Sequence, residues 1–178
     1  MNELANRYAT ALYSLKLDSN KLVETQNEVK ELKKIIKDNP DFIMILSSSY
    51  YDFKKKSEII DVTLVNVDED IKNLIKIAVK NHRANLIIEI FEEFNSLVNE
   101  HRGIIEGLVY SSMPLKEDEL TKLNKAISEV ESRPTDLKNI IDPSLIGGVK
   151  VVINDHIYDG SIKHHIDEMK KALLHKED

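Results

Sequence analysis

Apolar residues recur at three- and four-residue intervals through roughly the first hundred positions, and beyond Gly103 the period changes, which divides the chain. Leu4, Ala5, Tyr8, Ala9, Leu12 and Leu15 share one helical face, and Leu22, Val29, Leu32 and Ile36 share another. Asp38-Asn39-Pro40 closes the second helix, because the residue before proline is driven out of the helical region while proline opens a helix readily. Phe42, Ile43 and Leu46 predict a short third helix, and Phe53, Ile59, Ile60 and Leu64 a fourth after Ser47-Ser48-Ser49. Asp68 suits the N-cap of a fifth helix striped by Ile71, Leu74, Ile75, Ala78 and Val79. Past the polar break at Asn81-His82-Arg83, the residues Leu86, Ile87, Ile90, Phe91, Phe94, Leu97 and Val98 mark a sixth helix that Gly103 ends. The expectation is a six-helix bundle over residues 1–102.

Ile104 to Ser112 is rich in β-branched and aromatic residues and stops at Met113-Pro114, the pattern of a strand. Helical spacing returns at Leu120, Leu123, Ala126, Ile127 and Val130, and Arg133-Pro134 breaks it. Leu137 to Ile141 predicts a short strand. Val149 to Ile153, Asn154-Asp155 and His156 to Tyr158 make a hairpin, since Asn and Asp tolerate the left-handed backbone of a two-residue turn. Ile162, Ile166, Met169 and Leu173 stripe a last helix. Residues 103–178 are expected to form a small α/β domain, so the fold class is mainly α with that domain appended.

Composition narrows the function. Apolar content of 42%, charged content of 31% and only five Gly and four Pro in 178 residues suit a folded, mainly helical protein. A net charge of -6 with no basic stripe argues against nucleic acid as a partner. The absence of cysteine removes disulfides, Cys-ligated zinc and thiol catalysis. Met1 to Leu17 holds no continuous apolar block, so no signal peptide is predicted, and no stretch approaches the roughly 20 apolar residues of a membrane helix. Membrane association is expected only through a partner.

Several residues invite chemical readings. Gly147-Gly148 lacks the Gly-Lys-Ser/Thr that a phosphate loop requires, and a turn or bulge ahead of a strand explains it better. His164 and Glu168 have metal-ligand spacing with His165 nearby, but Lys163, Lys170 and Lys171 make that a solvated face, and no third ligand is evident. Lys54-Lys55-Lys56 reads as a solvated helix start. Neither Ser144 nor Ser161 sits in a nucleophile elbow. No catalytic residue, metal site or cofactor is assigned. A generic helical scaffold, or a small enzyme using the His-rich last helix, stand as the rival classes.

Ile140-Ile141-Asp142-Pro143-Ser144-Leu145-Ile146-Gly147-Gly148-Val149-Lys150-Val151, with Asp159-Gly160-Ser161 following, resembles the C-terminal signature of the delta subunits of F-type ATP synthases, the bacterial counterparts of the mitochondrial oligomycin-sensitivity-conferring protein. Arg7-Tyr8-Ala9-Thr10-Ala11-Leu12 resembles that family's opening helix, and Val109-Tyr110-Ser111-Ser112-Met113-Pro114-Leu115 the strand and Pro-Leu step that begin its C-terminal part. Ser112, His82 and Asn154 depart from its usual residues.

The resemblance implies a non-catalytic stator subunit. It implies that residues 1–102 bind N-terminal segments of the alpha subunits on the catalytic head, and that residues 103–178 bind the b subunit of the peripheral stalk. The chain would thereby resist rotor torque from the cytoplasmic side of a bacterial cell membrane. It places an alpha-binding groove between the first and fifth helices, lined by Tyr8, Ala11 and Leu12 and by Ile75, Ala78 and Val79. Periodicity alone reads the same stripe as core, so the two readings stand side by side until the positions are seen in three dimensions.

Overall fold

A computed structural model describes residues 2–174, which divide into two compact units between Val98 and Asn99. The first contains α1 (Glu3–Asp18), α2 (Leu22–Asp38), α3 (Pro40–Ser47), α4 (Phe53–Thr63) and α5 (Glu69–Lys80). A 3-10 turn at Ala84–Leu86 then leads into α6 (Ile87–His101), which runs past the division between the units. The helix starts follow local chemistry. Asn2 accepts from the Leu4 amide, Asp52 from that of Lys55 and Asp68 from that of Asp70, while Pro40 occupies the first turn of α3. The break after α5 turns on His82, whose φ of 57° is left-handed.

One core joins these helices. Ala5, Ala9 and Leu12 of α1 share it with Ile71, Ile75, Ala78 and Val79 of α5, with Val29, Leu32 and Ile36 of α2, and with Phe91, Phe94 and Val98 of α6. Ala5, Ala9 and Ala78 are fully buried, and with one methyl group each they let α1 and α5 come close.

Lys16 continues the buried stripe of α1 and is only 2% exposed. Its ammonium donates to Asp68 Oδ1 and to Asp70 Oδ2, both at 2.7 Å. Asp68 also caps α5 and donates its own amide to Glu28 Oε1 of α2 at 2.7 Å. One node thus ties α1, α2 and α5. Burial works to lower the Lys16 pKa, but the two carboxylate hydrogen bonds outweigh it and the net shift is upward. For Asp68, burial works upward and the Lys16 hydrogen bond and the Asp70 amide prevail, so its pKa is lowered.

The second unit is built on β1 (Ile105–Ser111), α7 (Glu117–Glu131), β2 (Thr135–Ile141), β3 (Val149–Ile153), β4 (His156–Asp159) and α8 (Ile162–Leu174). The sheet order is β2-β1-β3-β4, with β1 parallel to β2 across the α7 crossover and the other pairs antiparallel. Ile105, Val109, Leu137, Val151 and Ile153 form the apolar layer with Ile127 of α7. Strand β2 begins at Thr135, two residues ahead of the predicted Leu137. The Thr135 hydroxyl donates to the Asn124 carbonyl, and Asn124 Oδ1 accepts the Leu137 amide, so α7 holds that edge in extended form. Asn154 has φ 49°, as the predicted hairpin requires. At the other edge Glu131 Oε1 accepts from the Tyr158 hydroxyl at 2.7 Å and pairs with His156 Nδ1 at 2.8 Å, tying α7 to β4.

Replacing Lys16 by Met is expected to destabilise the protein by about 2 kcal/mol near neutral pH, the worth of hydrogen bonds to charged groups. The Asp68 contribution is intact above its ordinary pKa of 3.8 and lost as pH falls through the lowered value, whereas that of Lys16 is intact below 10.5 and lost as pH rises through the raised value. Urea denaturation across pH should therefore show the gap between wild type and Lys16→Met closing at both extremes. A constant gap would contradict the node.

Candidate interaction surfaces

The outer rows of α1 and α5 enclose a groove of about 600 Å³ lined by Leu4, Arg7, Tyr8, Ala11, Leu74, Ile77, Asn81 and Arg83. On α1 the positions fall at i, i+3, i+4 and i+7, and on α5 and its extension at i, i+3 and i+7, so each wall is one helical row. Tyr8 is half-buried, and its hydroxyl accepts from Asn81 Nδ2 at 2.9 Å, bridging the two walls. Ile77 stands 52% exposed despite its apolar side chain. The groove therefore offers apolar surface with a polar rim.

Of the six residues expected to line it, Tyr8 and Ala11 do so. Leu12, Ile75, Ala78 and Val79 belong to the buried core instead, none more than 3% exposed. The reason is rotation: each residue turns a helix by about 100°, so Ala78 faces inward while its neighbour Ile77 faces the groove. α5 carries apolar residues at 71, 74, 75, 77, 78 and 79, more than one buried stripe accommodates, and that surplus is the signal that marks Ile77.

A second groove of about 610 Å³ lies in the first unit between α2, α3 and the start of α6, lined by Ile36, Pro40, Ile43, Met44 and Ile88 among others. Sequence reasoning placed no site there.

In the second unit the signature residues form a structural junction. Asp142 Oδ1 accepts the Ser144 amide and opens a 3-10 turn through Pro143, Ser144 and Leu145, whose side chain is buried. Ile146 then adopts φ 64° with its side chain 67% exposed. Gly147 accepts the Ile162 amide through its carbonyl, and a Cβ there would stand 2.8 Å from Ile162 Cδ1. Gly148 has φ +77°, and a Cβ on it would meet the Gly160 carbonyl oxygen at 2.3 Å. Asp159 Oδ1 accepts the Ser161 amide, and buried Ser161 accepts the His164 amide at Oγ, capping α8. The hydrogen bond from Ser144 first, aided by Lys163 and Lys150, holds the Asp142 carboxyl below its ordinary range. Ser161 likewise lowers that of Asp159. The junction fixes where β3 begins and where α8 departs.

Beyond Ser161, every α8 residue through Lys171 is exposed. Ile162, Ile166 and Met169 make an apolar row at 46%, 40% and 66% exposure, while the side chain of Leu173, the fourth member of the predicted stripe, lies outside the described residues. His164 and Glu168 share this helix, and Glu168 pairs with Lys171 at 3.4 Å. Among the described residues no group of three or more His, Asp or Glu side chains is placed to hold a metal ion, and no helix is long and apolar enough to cross a membrane.

The family model for the ATP synthase delta (OSCP) subunit matches residues 4–173. The chain belongs to that family. It is 32% identical over 172 residues to ATP synthase subunit delta of a Geobacillus species, covering 96% of this chain and 97% of the relative. Against ATP synthase subunit delta of Halalkalibacterium halodurans it is 34% identical over 173 residues, covering 96% and 94%. A chain in the cryo-EM structure of the Toxoplasma gondii mitochondrial ATP synthase hexamer shares its fold, with a TM-score of 0.70 at 17% identity over 97% of this chain and 98% of that one. Family membership makes the protein a non-catalytic, peripheral-stalk component of ATP synthase.

Two substitutions separate core from groove. Val79→Asp buries a charge in the core and is expected to unfold the first unit, a cost above about 3 kcal/mol. Ile77→Asp should leave the far-ultraviolet circular dichroism and melting of the protein near wild type, and a loss of helix there would put Ile77 in the core. In the second unit, Gly148→Ala is expected to cost about 2 kcal/mol or more through strain and the clash with Gly160, read by urea denaturation.

Proposed function

We propose that the protein joins the catalytic head of the ATP synthase to its peripheral stalk, the first unit holding N-terminal segments of the alpha subunits and the second holding the b subunit. In this reading residues 1–102 act as a six-helix bundle that binds the head, and residues 103–178 act as the stalk-binding domain. Its station is the cytoplasmic side of a bacterial cell membrane, held there through the complex. The observation that carries the reading is the α1–α5 groove, a trough of about 600 Å³ between two helical rows, the kind of surface that helix-in-groove recognition uses. The exposed apolar row on α8 supports the second attachment, because such a row is ordinarily covered by a partner.

The task is mechanical. As the rotor turns, the head experiences a torque that must be returned to the membrane sector, and a connector meets it by dissociating slowly. Slow dissociation comes from buried apolar anchors rather than from exposed charge pairs, each worth about 1 kcal/mol or less. Ile77, Leu74, Leu4 and the Tyr8 ring supply such anchors, with the Tyr8 hydroxyl satisfied at Asn81.

Isothermal titration calorimetry of the full chain with a peptide of about the first twenty alpha-subunit residues from the same organism tests the first attachment. One-to-one binding with a negative heat-capacity change is expected. Tyr8→Asp and Ile77→Asp should each weaken it at least about tenfold, while Ile166→Asp on α8 should leave it intact and impair b-subunit binding. If Met44→Asp removes the peptide and Ile77→Asp does not, the site is the α2–α3 groove and the assignment is wrong.

A further inference from the structure

The α1–α5 groove has two unlike ends. Ala11, Leu74 and Ile77 make one stretch apolar, while Leu4, Arg7, Tyr8, Asn81 and Arg83 gather where the first half of α1 meets the residues that follow α5. The Tyr8 to Asn81 hydrogen bond fixes that second end, and the Lys16 node lies at the opposite end of the helix pair.

Arg7 and Arg83 are the two charged residues in the lining. Among the described residues neither guanidinium has a hydrogen bond or an ion pair, although Glu3 stands four positions before Arg7 on the same helix. Glu89 is engaged elsewhere, accepting from Asn2 Nδ2 at 2.9 Å. Several basic residues of the same unit do have carboxylate partners: Lys16 with Asp68 and Asp70, Lys37 with Glu92, Lys55 with Glu58 and Lys76 with Asp61. In a chain of net charge -6, two unengaged guanidiniums at one end of an apolar groove are a local reversal of sign. Guanidinium is also the group best matched to a carboxylate, through parallel N–H donors.

We propose, resting on the reading that this groove receives an amphipathic helix, that the helix presents a carboxylate side chain to Arg7 and Arg83. Its apolar anchors lie over Ala11, Leu74 and Ile77, and the pair of guanidiniums sets the direction in which it runs. Charge at the rim of such a site contributes modestly to affinity and strongly to orientation and to rejection of wrong partners. A helix bound backwards would bring apolar residues onto the two arginines and leave its carboxylate over Ile77, unpaired.

The full chain and the alpha-subunit peptide are titrated at low salt and at about 0.3 M salt, where screening shortens the reach of exposed charges to a few ångströms. The double variant Arg7→Gln, Arg83→Gln should weaken binding roughly three- to thirty-fold at low salt, the sum expected for two exposed pairs, and much less at high salt. A control at Lys55→Gln, away from the groove, should change nothing. A nitroxide on the acidic end of the peptide should broaden the amide resonances of Leu4 and Tyr8 more strongly than that of Leu74, which lies about 10 Å further along the helix pair. If the double variant binds as wild type while Ile77→Asp abolishes binding, the groove reading survives and this inference fails. Stronger broadening at Leu74 than at Tyr8 refutes the direction. Unimpaired binding by Ile77→Asp, or no binding by the wild type, removes the groove reading and the inference together.

Discussion

The first unit depends on a buried ammonium. Lys16 reaches the start of α5 from the end of α1 and is held there by two carboxylates, one of which also caps α5 and engages α2 through Glu28. An isolated charge at 2% exposure would be too costly to keep, so the three elements must meet in one arrangement for it to be satisfied. With that end fixed, and with Ala5, Ala9 and Ala78 setting the approach of α1 to α5, the outer rows of the two helices are left at the spacing that forms the groove. Fold and groove are therefore coupled through geometry: the inner rows make the core, and the outer rows line the groove.

The second unit follows a different constraint. Its signature residues form no active site and instead bring three chain segments together in a small volume. Gly148 passes the Gly160 carbonyl at a distance no side chain would allow, and Asp142 and Asp159 each close a turn by accepting an amide two residues on. Ser161 then starts α8, whose apolar row of Ile162, Ile166 and Met169 is 40% or more exposed among the described residues. A rigid base that projects a helix with one exposed apolar face suits attachment to an elongated partner better than it suits chemistry.

Much of this was legible in the sequence because it is local. Periodicity located the helices of the first half, the glycine after α6 and the Asn154 turn, since each depends on residues within a few positions of one another. The second strand begins at Thr135 rather than Leu137 because Asn124, in the preceding helix, accepts the Thr135 hydroxyl and the Leu137 amide. The groove was legible only in part. Of the six residues the resemblance implies, Tyr8 and Ala11 line the α1–α5 groove, whereas Leu12, Ile75, Ala78 and Val79 lie on the inner rows, as pattern alone does not say which of two adjacent apolar rows faces a neighbour. Lys16 lies on the buried stripe of α1 at the spacing of Ala5, Ala9 and Leu12, but its partners are 52 and 54 residues away, beyond the reach of any local rule. Arg7 and Arg83 are likewise far apart in sequence, and only the folded helix pair shows that both border one trough.

The absence of cysteine makes one measurement unusually direct, because a single introduced thiol is unique in the chain. Ile77→Cys, carrying a short photoactivatable cross-linker, would be assembled into the complete ATP synthase and illuminated. The account predicts that the protein cross-links to the N-terminal segment of an alpha subunit from that position and not from Met44→Cys in the other groove. Cross-linking to alpha from Met44→Cys alone, or from neither position in an intact complex, would contradict it.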